Sequence, residues 1–139
     1  MKDDYNLQRF VDAQAGVFEG ACAELRQGRK TGHWMWFIFP QLRGLGFSSM
    51  AECYGLTSLD EAKAYLEHPV LGARLTECSR LVTSIEGRTL REIFGSPDDM
   101  KFRSSMTLFA RAAEENLIFS EAIQKYCGGE YDPLTIALL

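Results

Sequence analysis

Apolar residues recur at helical spacing along most of the chain. The clearest case follows Pro69, where polar side chains such as Arg74 and Arg80 fall outside one continuous apolar stripe. Residues three, four or seven positions apart lie on the same face of an α-helix, so this spacing predicts an amphipathic helix that ends at Gly87. The members of the stripe are Val70, Leu71, Leu75, Cys78, Leu81, Val82 and Ile85.

Capping residues mark where several helices begin. Ser58 and Glu61 match a capping box, in which a serine and a glutamate side chain each accept a backbone N–H at the helix start. The segment Ser96-Pro97-Asp98-Asp99 combines a cap, a proline in the first turn and acids that favour the positive end of the helix dipole. These signals predict helices that start near residues 58 and 96.

Glycines mark where helices end. Gly28 and Gly128 follow apolar-periodic segments, and glycine adopts the positive φ that often closes a helix. Alternation with a period of two, typical of strands, does not persist for long. We therefore expect an all-α fold, with about seven short helices in a single compact domain over residues 1–139. The predicted helical segments are 7–27 with a break near 16, 58–68, 70–86, 89–94, 97–113, 117–127 and a last one from 133.

One segment, residues 33–40, has a pattern that leaves its structure open. It is apolar on every side, and its length and aromatic content suit a buried strand as well as a helix. Pro40 disfavours α geometry at Phe39, so we expect either element to end there.

The composition is that of a globular protein. Hydrophobic amino acids make up 46% of the 139 residues, charged ones make up 24%, and the formal net charge is −4. A chain of this size buries enough surface for a core, and its acidity makes nucleic acid an unfavourable partner. No apolar run is long enough to span a bilayer and no signal peptide follows Met1, so we expect a cytoplasmic protein without a membrane partner.

The cysteines and histidines indicate neither a metal site nor a cofactor. The four cysteines form no CxxC pair, and two histidines without paired cysteines make a zinc site improbable. We interpret the thiols as reduced. Cys53 is the one cysteine with a loop-like neighbourhood, which makes it the least improbable nucleophile. His68, before Pro69, is expected to cap the end of its helix.

A longer motif points to a known family. Residues 33–41, HWMWFIFPQ, followed by Gly44-Leu45-Gly46, resemble the signature of an uncharacterised bacterial family catalogued as domain of unknown function 1810. Other matching pieces are Arg9-Phe10, Glu61-Ala62, His68-Pro69, Phe94-Gly95 and residues 104–109. The resemblance covers essentially the whole chain in order and implies a compact, mainly helical fold. It implies no activity, because none is securely assigned to the family.

The first candidate site lies between Lys30 and Gln41. His33, two tryptophans and Gln41 follow Lys30 there, so stacking surfaces for a base or sugar stand near donors for a phosphate. The alternative is that this segment is the central core element. We favour the core for residues 36–39, whereas His33, Trp34 and Gln41, at the ends of the apolar run, suit a cleft equally well.

The second candidate site lies between Asp98 and Thr107. On a helix, Lys101 and Ser104 share one side, while Arg103 lies on another, and both sides avoid the apolar stripe. An ammonium with hydroxyl groups one turn further on suits an anion. The alternative is the solvated face of a well-capped helix. Asp98 and His33 are weak candidates for a catalytic role.

These segments give one preferred function and two alternatives. We expect a small phosphorylated or nucleotide-like ligand in a polar-aromatic cleft; if the chain is an enzyme, it would hydrolyse this ligand without a metal or a redox cofactor. The alternatives are a non-catalytic protein-interaction module with an apolar patch around Trp34 and Phe47, and RNA or nucleotide-tract binding through Arg26, Arg29, Lys30 and Trp34. The preferred function requires both segments to meet around one hollow. Its expected ligand contacts are Lys30, His33, Trp34, Gln41, Lys101, Arg103 and Ser104.

Overall fold

The computed structural model describes residues 5–46 and 48–139, and over these residues it consists of helices and connecting turns. Two residues, Leu42 and Leu56, form an isolated parallel bridge, and the described residues contain no longer strand. The predicted all-α fold is confirmed. The helices are α1 (Gln8–Gln14), α2 (Phe18–Arg26), α3 (Met35–Ile38), α4 (Ser49–Tyr54), α5 (Leu59–Glu67), α6 (Leu71–Thr83), α7 (Leu90–Phe94), α8 (Asp98–Ala112), α9 (Ile118–Cys127) and α10 (Pro133–Leu138).

The described residues form ten helices, whereas about seven were expected, and the short helices α3 and α4 account for most of the difference. The open question about residues 33–40 is resolved in favour of a helix, which covers only Met35–Ile38. It ends at Phe39, whose φ of −124° and ψ of 73° are not helical, as the following Pro40 predicts. Helix α4 was not expected, and it carries Cys53, so the loop-like neighbourhood predicted for that thiol is wrong.

The helix boundaries follow the capping signals with two differences. The Ser58 side chain accepts a hydrogen bond from the Glu61 amide, but the Glu61 carboxylate turns to Thr57 and Arg9 instead of completing a capping box. Glu61 is buried and needs these charged and polar partners. Helix α8 begins at Asp98, and its N-cap position is Pro97, without a side-chain cap from Ser96.

Two predicted glycine stops are present. Gly28 has a φ of +79° just after α2, and Gly128 has a φ of +62° at the end of α9. The stop predicted at Gly87 lies beyond the observed end of α6, because that helix already finishes at Thr83. Positive φ values favour glycine, so Gly28 and Gly128 allow the chain to reverse without strain.

Helix α8 lies at the centre of the packing. It contacts α5, α7, α9 and α10, while α6 packs against α2, α5 and α9. Three rings join α3 and α7 to α8, because Phe94 stacks on Phe102 at 4.9 Å and Phe39 meets Phe102 edge-on at 5.0 Å between centroids. This aromatic contact holds the 33–40 segment against the first turns of α8.

A buried amide fixes the position of α3. Gln14 at the end of α1 donates from Nε2 to the Phe37 carbonyl at 2.7 Å and to the Tyr65 hydroxyl at 3.2 Å. Its Oε1 accepts a hydrogen bond from Arg74 at 3.1 Å. Burial raises the pKa of Tyr65, so its hydroxyl stays protonated. One glutamine thus connects α1, α3, α5 and α6.

The cysteines divide into buried and exposed thiols. Cys22 and Cys78 are buried, and Cys53 is exposed. Burial raises the pKa of Cys22, Cys78 and the half-buried Cys127, which makes these thiols poor nucleophiles. His68 is the C-cap residue of α5, as expected, and its Nδ1 also accepts hydrogen bonds from the backbone amides of Val70 and Leu71 at the start of α6. It therefore joins the end of one helix to the beginning of the next.

Candidate functional site

The loop between α2 and α3 is organised around the Glu24 carboxylate. Its Oε1 accepts hydrogen bonds from the Thr31 amide at 2.6 Å, the Gly32 amide at 2.8 Å and the Trp34 indole N–H at 3.1 Å. Burial acts to raise the pKa of Glu24, but the hydrogen bonds to its charged form outweigh burial and lower that pKa below its ordinary value. The charged Glu24 carboxylate therefore holds the backbone of Thr31 and Gly32 and the Trp34 indole in place.

Lys30 is held inside this loop. Its side chain is only 8% exposed, and its ammonium donates to the Gly32 carbonyl at 2.6 Å. The same Nζ lies 2.9 Å from Asp98 Oδ2, at the start of α8. A backbone hydrogen bond from the Lys30 amide to the Ile93 carbonyl adds a second link between the loop and the α7–α8 region. This lysine is anchored on several sides.

Lys101 reaches the same carboxylate from the next turn of α8. Its Nζ lies 3.3 Å from Asp98 Oδ1, so the two oxygens of Asp98 face two different ammonium groups. We name Lys30, Asp98 and Lys101 the Lys–Asp–Lys cluster. Each of its lysines also lies near an indole ring: Lys30 Nζ is 5.3 Å from the Trp34 centroid and Lys101 Nζ is 4.4 Å from the Trp36 centroid. The two candidate segments, residues 30–41 and 98–107, therefore meet in space at the Asp98 carboxylate.

A small hollow lies beside Lys101. Its cavity volume is about 10 Å³, which is about the space that one water molecule requires. Its walls are mainly aromatic and apolar, and residues from α3, α4 and α8 contribute to them. We name it the Lys101 hollow; its lining residues are Met35, Trp36, Phe39, Gln41, Ala51, Tyr54, Gly55 and Lys101.

Three polar side chains of the Lys101 hollow have unused hydrogen-bonding capacity. Among the residues that the structure describes, neither the Gln41 side-chain amide nor the Tyr54 hydroxyl has a hydrogen-bond partner. Within the same residues, Lys101 has one ion-pair partner, Asp98, although an ammonium group carries three donors. The hollow thus has a cation, an amide and a hydroxyl available to a ligand.

Comparison with known proteins places the chain in a family. The model of the protein family of unknown function DUF1810 matches residues 4–139. The chain belongs to the DUF1810 family. It is also similar to the crystal structure, at 1.38 Å, of the conserved hypothetical protein Rv1873 from Mycobacterium tuberculosis. The two share 58% sequence identity and a TM-score of 0.97, over 99% of this chain and 98% of that one. No curated protein matches the sequence.

The two tryptophans of the DUF1810 motif lie in different surroundings. Trp34, expected at a cleft as readily as in the core, is only 3% exposed and supports the loop through Glu24. Trp36, which we assigned to the core, is half-buried and lines the Lys101 hollow. Phe37, Ile38 and Phe39 are buried as expected. Within the motif, Trp36 is therefore the tryptophan placed to contact a ligand.

The other three predicted ligand residues, His33, Arg103 and Ser104, do not line the Lys101 hollow. His33 is exposed next to Trp34, with no hydrogen bond to another described residue. Arg103 donates from Nε to the Glu130 carbonyl and from Nη2 to the Tyr131 carbonyl, each at 3.0 Å. Ser104 donates from Oγ to Asp132 at 2.9 Å. Arg103 and Ser104 hold the segment before α10 and are not part of the Lys101 hollow.

Several members of this site escaped prediction. Glu24 lies on α2 in an ordinary amphipathic pattern, and Tyr54 lies on α4, which the sequence did not predict. No local signal could identify either residue, because each acts through contacts with distant segments. The pairing of Asp98 with Lys101 had a signal, since an acid and a lysine three positions apart on a helix lie on the same face.

The described residues provide neither a cluster of metal ligands nor a helix that could span a membrane. No group of three or more His, Cys, Asp or Glu side chains among them is arranged to hold a metal ion. None of their helices is both long and apolar enough to cross a membrane.

Proposed function

We propose that this DUF1810 protein binds a small phosphorylated or nucleotide-like ligand, with the anionic group at Lys101 and the neutral polar part against Gln41 and Tyr54. The observation that carries the proposal is the Lys–Asp–Lys cluster beside the Lys101 hollow. Two lysines from distant parts of the sequence share one carboxylate, and one of them borders a hollow with unpaired polar groups.

The charge of the cluster favours an anion. Two ammonium groups face one carboxylate, so the cluster has a formal charge of one positive unit within a chain of net charge −4. Both lysine side chains are largely shielded from solvent, with 8% and 23% of their surface exposed. Coulomb attraction is stronger where water is excluded, so a second anion gains more here than at an exposed lysine.

The size of the hollow limits how the ligand sits. Space for about one water molecule admits an oxygen atom of a phosphate but not a nucleobase. We therefore expect the ring of a nucleotide-like ligand to remain at the mouth of the hollow, next to Trp36, whose indole provides a flat apolar surface. Gln41 can donate and accept hydrogen bonds, which suits the edge of such a ring or a sugar hydroxyl.

We propose binding without hydrolysis. Asp98, the weak candidate for a catalytic carboxylate, has each of its oxygens in an ion pair with a lysine. A general base needs a lone pair within reach of the proton that it removes. The lysines face both oxygens of Asp98 in the unliganded site, and we assign this carboxylate to charge pairing rather than to proton transfer. His33, the other weak candidate, is exposed beside the buried Trp34 and does not line the hollow.

We place this binding in the cytoplasm. The composition and the cysteines that we interpret as reduced favour that location.

The alternative function is the binding of a protein partner. A partner surface around Trp34 finds no support, because Trp34 is buried, and Phe47 lies outside the described residues. Helix α10 offers another surface, since Leu134 is 65% exposed and Leu138 is 54% exposed on the same face.

A thermal-shift screen with inorganic phosphate, AMP and glucose 6-phosphate tests the binding proposal. A ligand at one hundred times its Kd stabilises the fold by about 2.7 kcal/mol, which raises Tm by roughly 9 °C for a domain of this size. We expect such a shift with at least one of the three, and its loss in Lys101→Met. Lys63→Met is the matched control, because Lys63 is an exposed lysine without an ion pair among the described residues.

Two results would contradict the proposal. One is the absence of any shift with all three compounds, and the other is a shift that Lys101→Met and Lys63→Met reduce equally. If a tagged chain also retains a protein from a cell extract, and Leu134→Ser abolishes that retention, the interaction function on α10 replaces ligand binding.

A further inference from the structure

The Asp98 carboxylate occupies the position that a ligand's anionic group would take. It lies between two ammonium groups, with Oδ2 at 2.9 Å from Lys30 and Oδ1 at 3.3 Å from Lys101, and it is 18% exposed. We infer that Asp98 is an internal competitor, and that an oxyanion binds to Lys101 by displacing this carboxylate. The inference rests on the proposed function and adds a mechanism that lowers the affinity of the resting site.

The two lysines differ in how easily each can change partner. Lys30 is 8% exposed and donates to the Gly32 carbonyl at 2.6 Å. Lys101 is 23% exposed, makes the longer of the two ion pairs and borders the hollow. A displaced Asp98 can therefore keep its ion pair with Lys30 while Lys101 turns to the ligand. The exchange replaces one carboxylate with another oxyanion and leaves no lysine unpaired.

The chemistry of the ligand follows from this exchange. Whatever replaces Asp98 at Lys101 must be an oxyanion, because the ammonium group needs a charged acceptor to compensate for its partial burial. A doubly charged phosphate competes with a singly charged carboxylate better than another carboxylate does. A phosphate monoester is therefore favoured over a carboxylic acid.

A second role for Asp98 makes the opposite prediction. If Asp98 only positions Lys101 for the ligand, its loss frees the lysine side chain and weakens binding. If Asp98 competes with the ligand, its loss removes a negative charge about 3 Å from Lys101 and strengthens binding. The sign of the change in affinity separates the two roles.

The experiment measures the Kd for inorganic phosphate by calorimetry at low salt in the wild-type chain, in Asp98→Asn and in Asp99→Asn. Asp99 is the matched control, because it lies next in the first turn of α8 and has no ion pair among the described residues. We expect Asp98→Asn to bind phosphate about tenfold more tightly than wild type and Asp99→Asn to stay within about twofold. Equal or weaker binding by Asp98→Asn overturns the inference.

A second measurement tests the inference if Asp98→Asn does not fold. Such a failure would have a physical cause, because two partly buried lysines would lose their shared partner. The wild-type chain is crystallised with phosphate, and the distance between Lys101 Nζ and Asp98 is read from the complex. An increase from 3.3 Å to beyond ion-pair distance supports displacement. An unchanged ion pair with phosphate bound at Lys101 overturns it.

The outcomes also separate this inference from the proposed function. Phosphate binding by wild type that depends on Lys101, without a gain in Asp98→Asn, overturns only the displacement of Asp98. Absence of binding in both the wild type and Asp98→Asn overturns the displacement and, together with negative results for AMP and glucose 6-phosphate, the binding proposal.

Discussion

Helix α8 carries two groups of polar residues that look alike in the sequence and have different surroundings. Near its start, Lys101 has one ionic partner among the described residues and borders a hollow. Two and three residues further on, Arg103 and Ser104 are hydrogen-bonded to the segment that leads into α10. A polar group whose bonding capacity is used inside the fold holds structure together, whereas one with unused donors is available to a ligand.

The tryptophans of α3 and its N-cap give the strongest test of this comparison. Trp34→Ala removes a buried side chain and the indole partner of Glu24, so we expect a loss of about 3–5 kcal/mol in the free energy of unfolding. Trp36→Ala should be much less destabilising and should weaken ligand binding. Urea unfolding and thermal shift with AMP measure both. Equal destabilisation by the two variants would show that Trp36 is also a core residue.

The α10 attachment should affect stability alone. Asp132 Oδ2 accepts hydrogen bonds from Ser104 Oγ at 2.9 Å, from the Thr135 hydroxyl at 2.6 Å and from the Thr135 amide at 3.2 Å. Asp132→Ala removes this cap and leaves the buried Thr135 hydroxyl unpaired, at a cost of about 2 kcal/mol. Phosphate affinity should not change. A loss of affinity at full stability would join this region to the binding site.

A pair of substitutions on α8 compares the two groups directly. Arg103→Met loses two hydrogen bonds to backbone carbonyls, so we expect about 1–2 kcal/mol less stability and unchanged phosphate binding. Lys101→Met loses a partly exposed ion pair, so we expect a change in stability of less than about 1 kcal/mol and at least tenfold weaker binding. Calorimetry and urea unfolding of both variants complete the test. The reverse pattern would place the site at the α10 end.

The smallest expected effect concerns pH and Glu24. Its folded-state pKa is lowered, so the unfolded chain takes up a proton before the folded chain does as the pH falls. The stabilisation is fully present above the ordinary value of 4.5 and is lost as the pH falls through the lower folded value. Melting from pH 6 to pH 3 should therefore show a steeper decline for wild type than for Glu24→Gln. Parallel declines would mean that Glu24 contributes no such stabilisation.

The fold was largely predictable because most of its order is local. Apolar stripes, the Asp132 cap and the glycines after α2 and α9 each act within a few residues, and the corresponding helices were predicted. Helices α3 and α4 were not. Helix α3 has four residues, no side-chain cap and an apolar pattern on every side, and α4 has a Ser48 cap without the capping-box acid of α7 or the proline of α10. Their conformation depends on tertiary contacts such as the hydrogen bond from Gln14 to the Phe37 carbonyl.

The candidate site was predictable only in part. Lys30, Gln41 and Lys101 were selected for their chemistry, and the structure brings Lys30 and Lys101 to the same carboxylate. Ser104 was selected by the same reasoning, yet its acceptor is Asp132, which no helical spacing relates to α8. The types of residue indicated which groups could bind an anion, whereas only the three-dimensional contacts showed which of them are already occupied.

The buried Gln14 amide makes the position of α3, which lines the Lys101 hollow, sensitive to a change of a single atom. Deamidation would convert its Nε2, which donates to the Phe37 carbonyl and the Tyr65 hydroxyl, into an oxygen that can donate to neither. A carboxylate would then face the carbonyl that anchors α3. We expect deamidation of Gln14 to disturb the packing of α3, and with it the shape of the Lys101 hollow, although Gln14 does not line the hollow itself.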